Sequence, residues 1–305
     1  MPVLAIDPPA SSAEAASSCI TPELASGCVT LYQMALIETG NLGGLMLGPV
    51  RVVDRLRATP HEAVYRVFDP RRRRGAGEYA LLRHLAEADM HDAVRPDEYR
   101  QRFRAALAVQ QPNVTATLEV LDIAGRPAAL QEWVTGVPAC DWPAFVAAPG
   151  VVYHLLHQAA LGLQAAHEAG LLHGHIDADH VMLTGDGTLK LSGFGEPPWL
   201  CGHGHASDST LDDLAALKEL IADCVQAAAP RRKGGKAKPL PDGLRNVLYR
   251  LSAEAGEERY ASAAELLDDL RAVENDIPNS SESWDRLLDH IAEQLNQDSA
   301  LRQSA

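Results

Sequence analysis

The spacing of apolar side chains divides the chain into a strand-rich stretch and a helix-rich one. From 49 to 69 the pattern reads as two strands, RVVDRL and EAVYRVF, joined by ATPH. Asp69-Pro70 and the run Arg71–Arg74 make a turn, and YALLRHL (79–85) reads as a third strand. Arg95-Pro96-Asp97-Glu98 puts proline and two acids in a first helical turn and predicts a helix to about Val109. ATLEVLDI (116–123) and AALQEWV (128–134) are two further strands around the turn Ala124-Gly-Arg-Pro127.

After Gly136 the period becomes helical, with Val152, Leu155, Leu156, Ala159, Leu163 and Ala166 on one face. VMLT and TLKLS bracket Gly185-Asp-Gly187 as a hairpin. Helices are predicted at 211–225, around 241–252 and 261–273, and at 281–295, where SESWDRLLDHIAEQL is amphipathic with a capped start. Upstream, residues 1–28 are rich in Ala, Ser and Pro and read as a disordered leader, with one short apolar helix at 29–38. The expected fold class is α+β with two lobes: a small antiparallel β lobe with one helix, then a larger helical lobe. The expected divisions are a leader at 1–46, a first lobe at 47–135, a second at 136–275 and a tail with the amphipathic helix at 276–305.

Composition narrows the function classes. The net charge is −14, of which residues 251–305, with 13 acids and 4 bases, carry −9, so neither nucleic acid nor an anionic membrane is the expected partner. The longest uncharged run, 142–167, is interrupted by Pro149, Gly150, His154, His157 and Gln158 and reads as a buried helix, not a membrane span. No Lys or Arg precedes Arg51, so no signal peptide is expected. Five scattered cysteines (Cys19, Cys28, Cys140, Cys201, Cys224) suit a reducing cytoplasm. The bases divide into 22 Arg and 5 Lys, and the first lysine is Lys190, which excludes lysine chemistry from the first 189 residues.

The order of elements, with several short motifs, resembles the protein kinase fold over residues 47–274, in its bacterial Ser/Thr form. VYRVFD (64–69) is similar to the strand after the family's glycine-rich loop, and Leu130-Gln-Glu-Trp-Val-Thr-Gly136 resembles the hinge between lobes. HEAGLLHGHIDADHVML (167–183) lines up with the catalytic loop, and Ser192-Gly-Phe-Gly195 with Asp-Phe-Gly. Asp213 matches the buried aspartate of the central helix, and EERYASAAELLDDL (257–270), with Arg259, resembles the closing helices.

Phosphoryl transfer in that family is positioning plus charge neutralisation, and the resemblance places its working groups on unsuitable residues. Arg57, Thr59 and Glu62 stand where the glycines would be, and Pro60 removes a backbone donor. The phosphate-pairing lysine lines up with Leu82; Arg83 is adjacent, and only a slipped register would bring it into play, aimed otherwise at the opposite face. The helix glutamate falls near Ala106. His175 replaces the catalytic aspartate, His180 the metal-binding asparagine and Gly193 the metal-binding aspartate. Imidazole is a poor magnesium ligand, and glycine offers none. His173, Phe194, Gly195, Asp213 and Arg259 match positions that pack or anchor backbone, with Glu196 the candidate partner of Arg259.

The resemblance therefore implies a catalytically inactive, pseudokinase-like signalling module that binds, scaffolds or regulates an unidentified protein partner. No catalytic residue and no cofactor are assigned. A nucleotide such as ATP, bound without magnesium, would use an adenine pocket at Val64, Ala80, Glu132, Trp133 and Val134. The alternative is an atypical ATP-dependent Ser/Thr phosphotransferase using Asp177 and Glu196. A zinc grouping of His173, His175, His180, Cys201, His203 and His205 matches no known zinc spacing, so no metal site is assigned.

Overall fold

The computed structural model describes residues 29–72, 78–142, 148–200, 209–227, 240–252, 258–277 and 280–304. The expected leader at 1–28, and Cys201, His203 and His205, lie outside the described residues.

Six strands form one antiparallel sheet in the order β1-β2-β3-β4-β6-β5. They are β1 (Met46–Leu47), β2 (Val50–Ala58), β3 (Glu62–Phe68), β4 (Tyr79–Leu85), β5 (Thr117–Ile123) and β6 (Arg126–Glu132). The β5–β6 turn is Ala124-Gly125, both at positive φ (51° and 79°), the two-residue geometry whose twist matches the flanking strands. A first helix, α1 (Leu31–Glu38), lies along β2: Thr30 Oγ1 donates to Val53 O at 2.6 Å and Gln33 Nε2 to Val52 O at 2.7 Å.

Helix α2 (Arg95–Ala106) covers one face of the sheet, burying Tyr99 and Phe103 with Leu85 and Ala129. The opposite face buries Val50, Val67, Ala80, Leu82 and Leu130. This fixes the phase of β4: Ala80 and Leu82 point away from α2, and Leu81 and Arg83 line the cleft between the lobes. The sequence expectation had the opposite phase. Tyr79-Ala-Leu-Leu is too uniformly apolar for alternation to choose a face, and packing of Leu85 beneath α2 settles it.

The second lobe is built from α3 (Pro149–Glu168), α4 (Thr210–Ala227), α5 (Asp242–Ser252), α6 (Ala263–Val273) and α7 (Ser280–Ser304) around one large apolar core. A three-stranded sheet, β7 (Gly136–Pro138), β8 (Val181–Thr184) and β9 (Leu189–Leu191), sits at its edge. β7 was not foreseen in the sequence, where three residues before a helical pattern carry no periodicity; it pairs with β8 through Val137 opposite Leu183. The tail helix α7 docks within the chain. Leu287 and Ile291 are fully buried, and the Trp284 ring lies tilted 5.0 Å from that of His154 of α3. No helix among the described residues is long and apolar enough to cross a membrane.

Candidate functional site

The cleft between the lobes holds a cavity of about 660 Å³, walled by the β2–β3 turn on one side and by His175, Asp177, His180, Ser192 and Glu196 on the other. Its dominant feature is a buried ion cluster. Arg83 donates Nε (3.0 Å) and Nη2 (2.6 Å) to the Glu62 carboxylate and Nη1 to Glu196 Oε1. All three side chains are at most 6% exposed. Arg57, more than half exposed, adds a 2.7 Å bond to Glu62 Oε1. Burial disfavours the charge on Arg83, but Glu196 and Glu62 outweigh it and push its pKa up. Burial likewise pushes Glu196 up, and Arg83 with His180 more than offsets this, leaving it below the usual carboxylate range.

This arrangement corrects two sequence expectations, the face of Arg83 and the partner of Glu196. Arg83, not Leu82, faces the cleft, because β4 has the other phase. Ala106 packs on Gly195, where an added Cβ would come within 3.2 Å of the Ala106 Cβ. The groups of α2 that meet Arg83 are Tyr99, whose hydroxyl donates to Arg83 O at 3.2 Å, and the Phe103 ring 6.0 Å from the guanidinium. Glu196, offered as partner of Arg259, belongs to Arg83; Arg259 donates to Leu211 O at 2.8 Å and lies 3.9 Å from Asp212.

The segment after Gly195 is held against α2. Arg102 Nε donates to Glu196 O (3.1 Å), and Trp199 Nε1 donates to Glu98 Oε2 (2.7 Å) beneath the Arg95 guanidinium. Gly195 makes this approach feasible: at φ +89° it has no side chain to collide with Phe103, whose Cδ1 would stand 3.0 Å from an added Cβ.

The loop 173–180 is positioned from below by Asp213 at the start of α4. Its carboxylate is fully buried and accepts from the N–H groups of His173 and Gly174 and from His167 Nε2, each at 2.9 Å. Burial would raise its pKa, and these donors together hold it below the ordinary value. His173 meets Phe194 edge-on at 4.7 Å; its Nε2 donates to Ser192 O (2.7 Å) and its Nδ1 accepts from His175 N (3.3 Å), which fixes the neutral tautomer. Burial, helped by neighbouring His180, lowers its pKa to about 4.

His175, Asp177 and His180 converge at the cavity wall. Asp177 Oδ1 accepts from the N–H groups of Asp179 (2.9 Å) and His180 (3.1 Å) and contacts His180 Nδ1 at 2.7 Å, while Oδ2 lies 2.8 Å from His175 Nε2. The two imidazoles stand nearly perpendicular, 5.6 Å apart. His180 fills the space before Gly193 (φ +97°): a Cβ there would fall 2.7 Å from its Cδ2. The glycine at 193 and the histidine at 180 are thus two halves of one packing solution.

Of the residues expected to hold adenine, Val64 lines the cavity and Ala80 is buried beneath the sheet. Glu132 is engaged elsewhere, its N–H on Ala116 O and its carboxylate on Lys190 Nζ at 2.9 Å, and Trp133 lies 5.7 Å beneath Arg66. The cavity wall is completed instead by Leu81, Thr115 and Gln131. Sequence reasoning named Glu62, Arg83 and Glu196 individually but did not bring them together, since 113 residues separate Arg83 from Glu196.

No protein-family model matches the chain. Among curated proteins it is 30% identical over 149 residues to serine/threonine-protein kinase Pkn1 of Myxococcus xanthus, covering 47% of this chain and a fifth of that protein's length. Among solved structures it is similar to the PknI kinase domain of Mycobacterium tuberculosis, with TM-score 0.56, 23% identity, and coverage of 75% of this chain and 98% of that domain. A mutant of the same domain gives TM-score 0.55 at 23% identity, covering 75% and 97%. The chain has the two-lobed protein kinase-like fold.

Proposed function

We propose that the chain is a catalytically inactive kinase-like module that binds or regulates a protein partner. The observation that carries this reading is the commitment of Arg83. It occupies the cleft face of β4, where the fold class handles phosphate, and both ends of its guanidinium are taken by buried carboxylates. Three carboxylates (Asp177, Asp179, Glu196) line the cavity beside two guanidiniums, Arg57 and Arg83, each already bonded to Glu62. Such a cleft repels a polyphosphate, and glycine at 193 supplies no carboxylate for magnesium. Thermal shift of the full chain with ATP, with and without Mg²⁺, tests the reading: no metal-dependent shift is expected, and a shift that requires Mg²⁺ contradicts it.

The alternative, an atypical Ser/Thr phosphotransferase, is favoured by the kinase named above and by the place of Asp177 on the cavity wall. Its carboxylate is held low, despite burial, by His180 and the Asp179 N–H. A carboxylate so stabilised in its charged form is a weak proton acceptor.

A further inference from the structure

We propose that His175, Asp177 and His180 form a binding site for a divalent transition-metal ion of the zinc class, with three protein ligands and an open position facing the cleft. No ligand set was assigned from the sequence; of the six residues weighed there, the fold brings His175 and His180 together, with Asp177 as a third group that was not weighed, and His173 is not among them. Its ring is turned away to Ser192 O and Phe194.

Four observations carry the site. The ligating atoms of the three side chains all lie within 4.8 Å of one another. Zinc holds imidazole nitrogen and carboxylate oxygen at about 2.0–2.2 Å, so tetrahedral neighbours stand about 3.4 Å apart. The present 2.8 Å contact of His175 Nε2 with Asp177 Oδ2 needs open by only about 0.6 Å to admit an ion.

Second, the central carboxylate is already oriented. Two backbone N–H groups hold Asp177 Oδ1, which leaves Oδ2 as the ligating atom and supplies the outer support that ligating carboxylates need. Third, His180 is placed the same way. With Nδ1 toward Asp177, its Nε2 faces the buried Glu196 carboxylate at 4.0 Å, a carboxylate behind a ligating imidazole. Gly193 opens the space this ring occupies.

Fourth, the three side chains are only partly exposed and face the cavity, where water or a donor from a bound partner could take the remaining position. Two nitrogens and one oxygen suit zinc or its near neighbours and are a poor set for magnesium or calcium, which demand oxygen. Glu196 and Asp179 beside the site add negative charge without further ligating nitrogen.

The inference is independent of the proposed function, since it concerns metal uptake without nucleotide. The experiment is titration of the chelator-stripped full chain with Zn²⁺, followed by X-ray absorption at the zinc edge. One zinc per chain, with nitrogen and oxygen scatterers and no sulfur, is expected. The double variant His175→Ala/His180→Ala, its fold checked by circular dichroism, should bind at least about 100-fold more weakly, beyond the usual cost of removing an outer-shell partner. Absence of stoichiometric zinc overturns the proposal. So does a sulfur scatterer in the zinc-loaded protein, which would place the ion on cysteine, or undiminished binding by the double variant.

Discussion

Replacing Arg83 with methionine keeps most of the stem volume and removes the charge that joins the β3 strand to the segment after Gly195. Glu62 and Glu196, 1% and 5% exposed, would then be left buried without that guanidinium. Arg57 still reaches Glu62 from its exposed position, but Glu196 loses its strongest counterweight. Breaking a buried pair from one side costs about 3–5 kcal/mol, because the uncompensated charge remains. Glu196→Gln leaves Arg83 on Glu62 through two bonds and should cost less, about 1–3 kcal/mol. Replacing all three (Arg83→Met, Glu62→Leu, Glu196→Leu) should be near neutral, since no charge stays buried.

Urea unfolding of the full chain at pH 7, followed by tryptophan fluorescence, measures the series. The sign with pH is also fixed. In Arg83→Met, burial raises Glu196 in the folded state, so folding takes up a proton and the deficit shrinks as pH falls below neutral. A loss under about 1 kcal/mol for Arg83→Met, as for a solvent-screened surface pair, would refute the picture of a buried cluster.

Four further outcomes follow. Gly193→Asp, restoring a carboxylate, should cost about 1–3 kcal/mol from left-handed strain and collision with His180, and His180→Asn should recover part of it, measured as a double-mutant cycle. Leu287→Ala and Ile291→Ala should each cost about 2–5 kcal/mol in urea unfolding if α7 is docked, and under about 0.5 kcal/mol if it is not. Asp213→Asn should flatten acid unfolding: its lowered folded pKa gives stability that is present above the unfolded carboxylate value and lost as pH falls through the folded one, and the variant has no such slope. His173, lowered from 6.5 to about 4, should show no imidazole titration by NMR between pH 5 and 8, and its charging on unfolding should erode stability as pH falls from 6.5 toward 4.

Strand period and turn chemistry made most of the fold legible. Ala124-Gly125 and Gly185-Asp-Gly187 named two hairpins, and the heptad-like spacing of Val152 to Ala166 named the buried helix. The phase of β4 was illegible because both of its faces are apolar apart from Arg83 and His84. The short β7 pairing arises between residues 46 positions apart, as at Val137 and Leu183, where local pattern has no reach. The site divided the same way. His173 and Asp213 are tied to the chain's own backbone, and Phe194 meets the His173 ring, contacts made within one lobe. The Arg83 cluster could not be read, since Glu196 lies 113 residues along the chain from its partner.

The proposed function requires that this cleft, braced by Arg83, Glu62 and Glu196, does not transfer phosphate. The direct measurement is incorporation of label from γ-labelled ATP into the full chain and into generic protein substrates, with Mg²⁺ or Mn²⁺. The account predicts no incorporation above that of the Asp177→Asn variant. Metal-dependent incorporation that Asp177→Asn abolishes would contradict it.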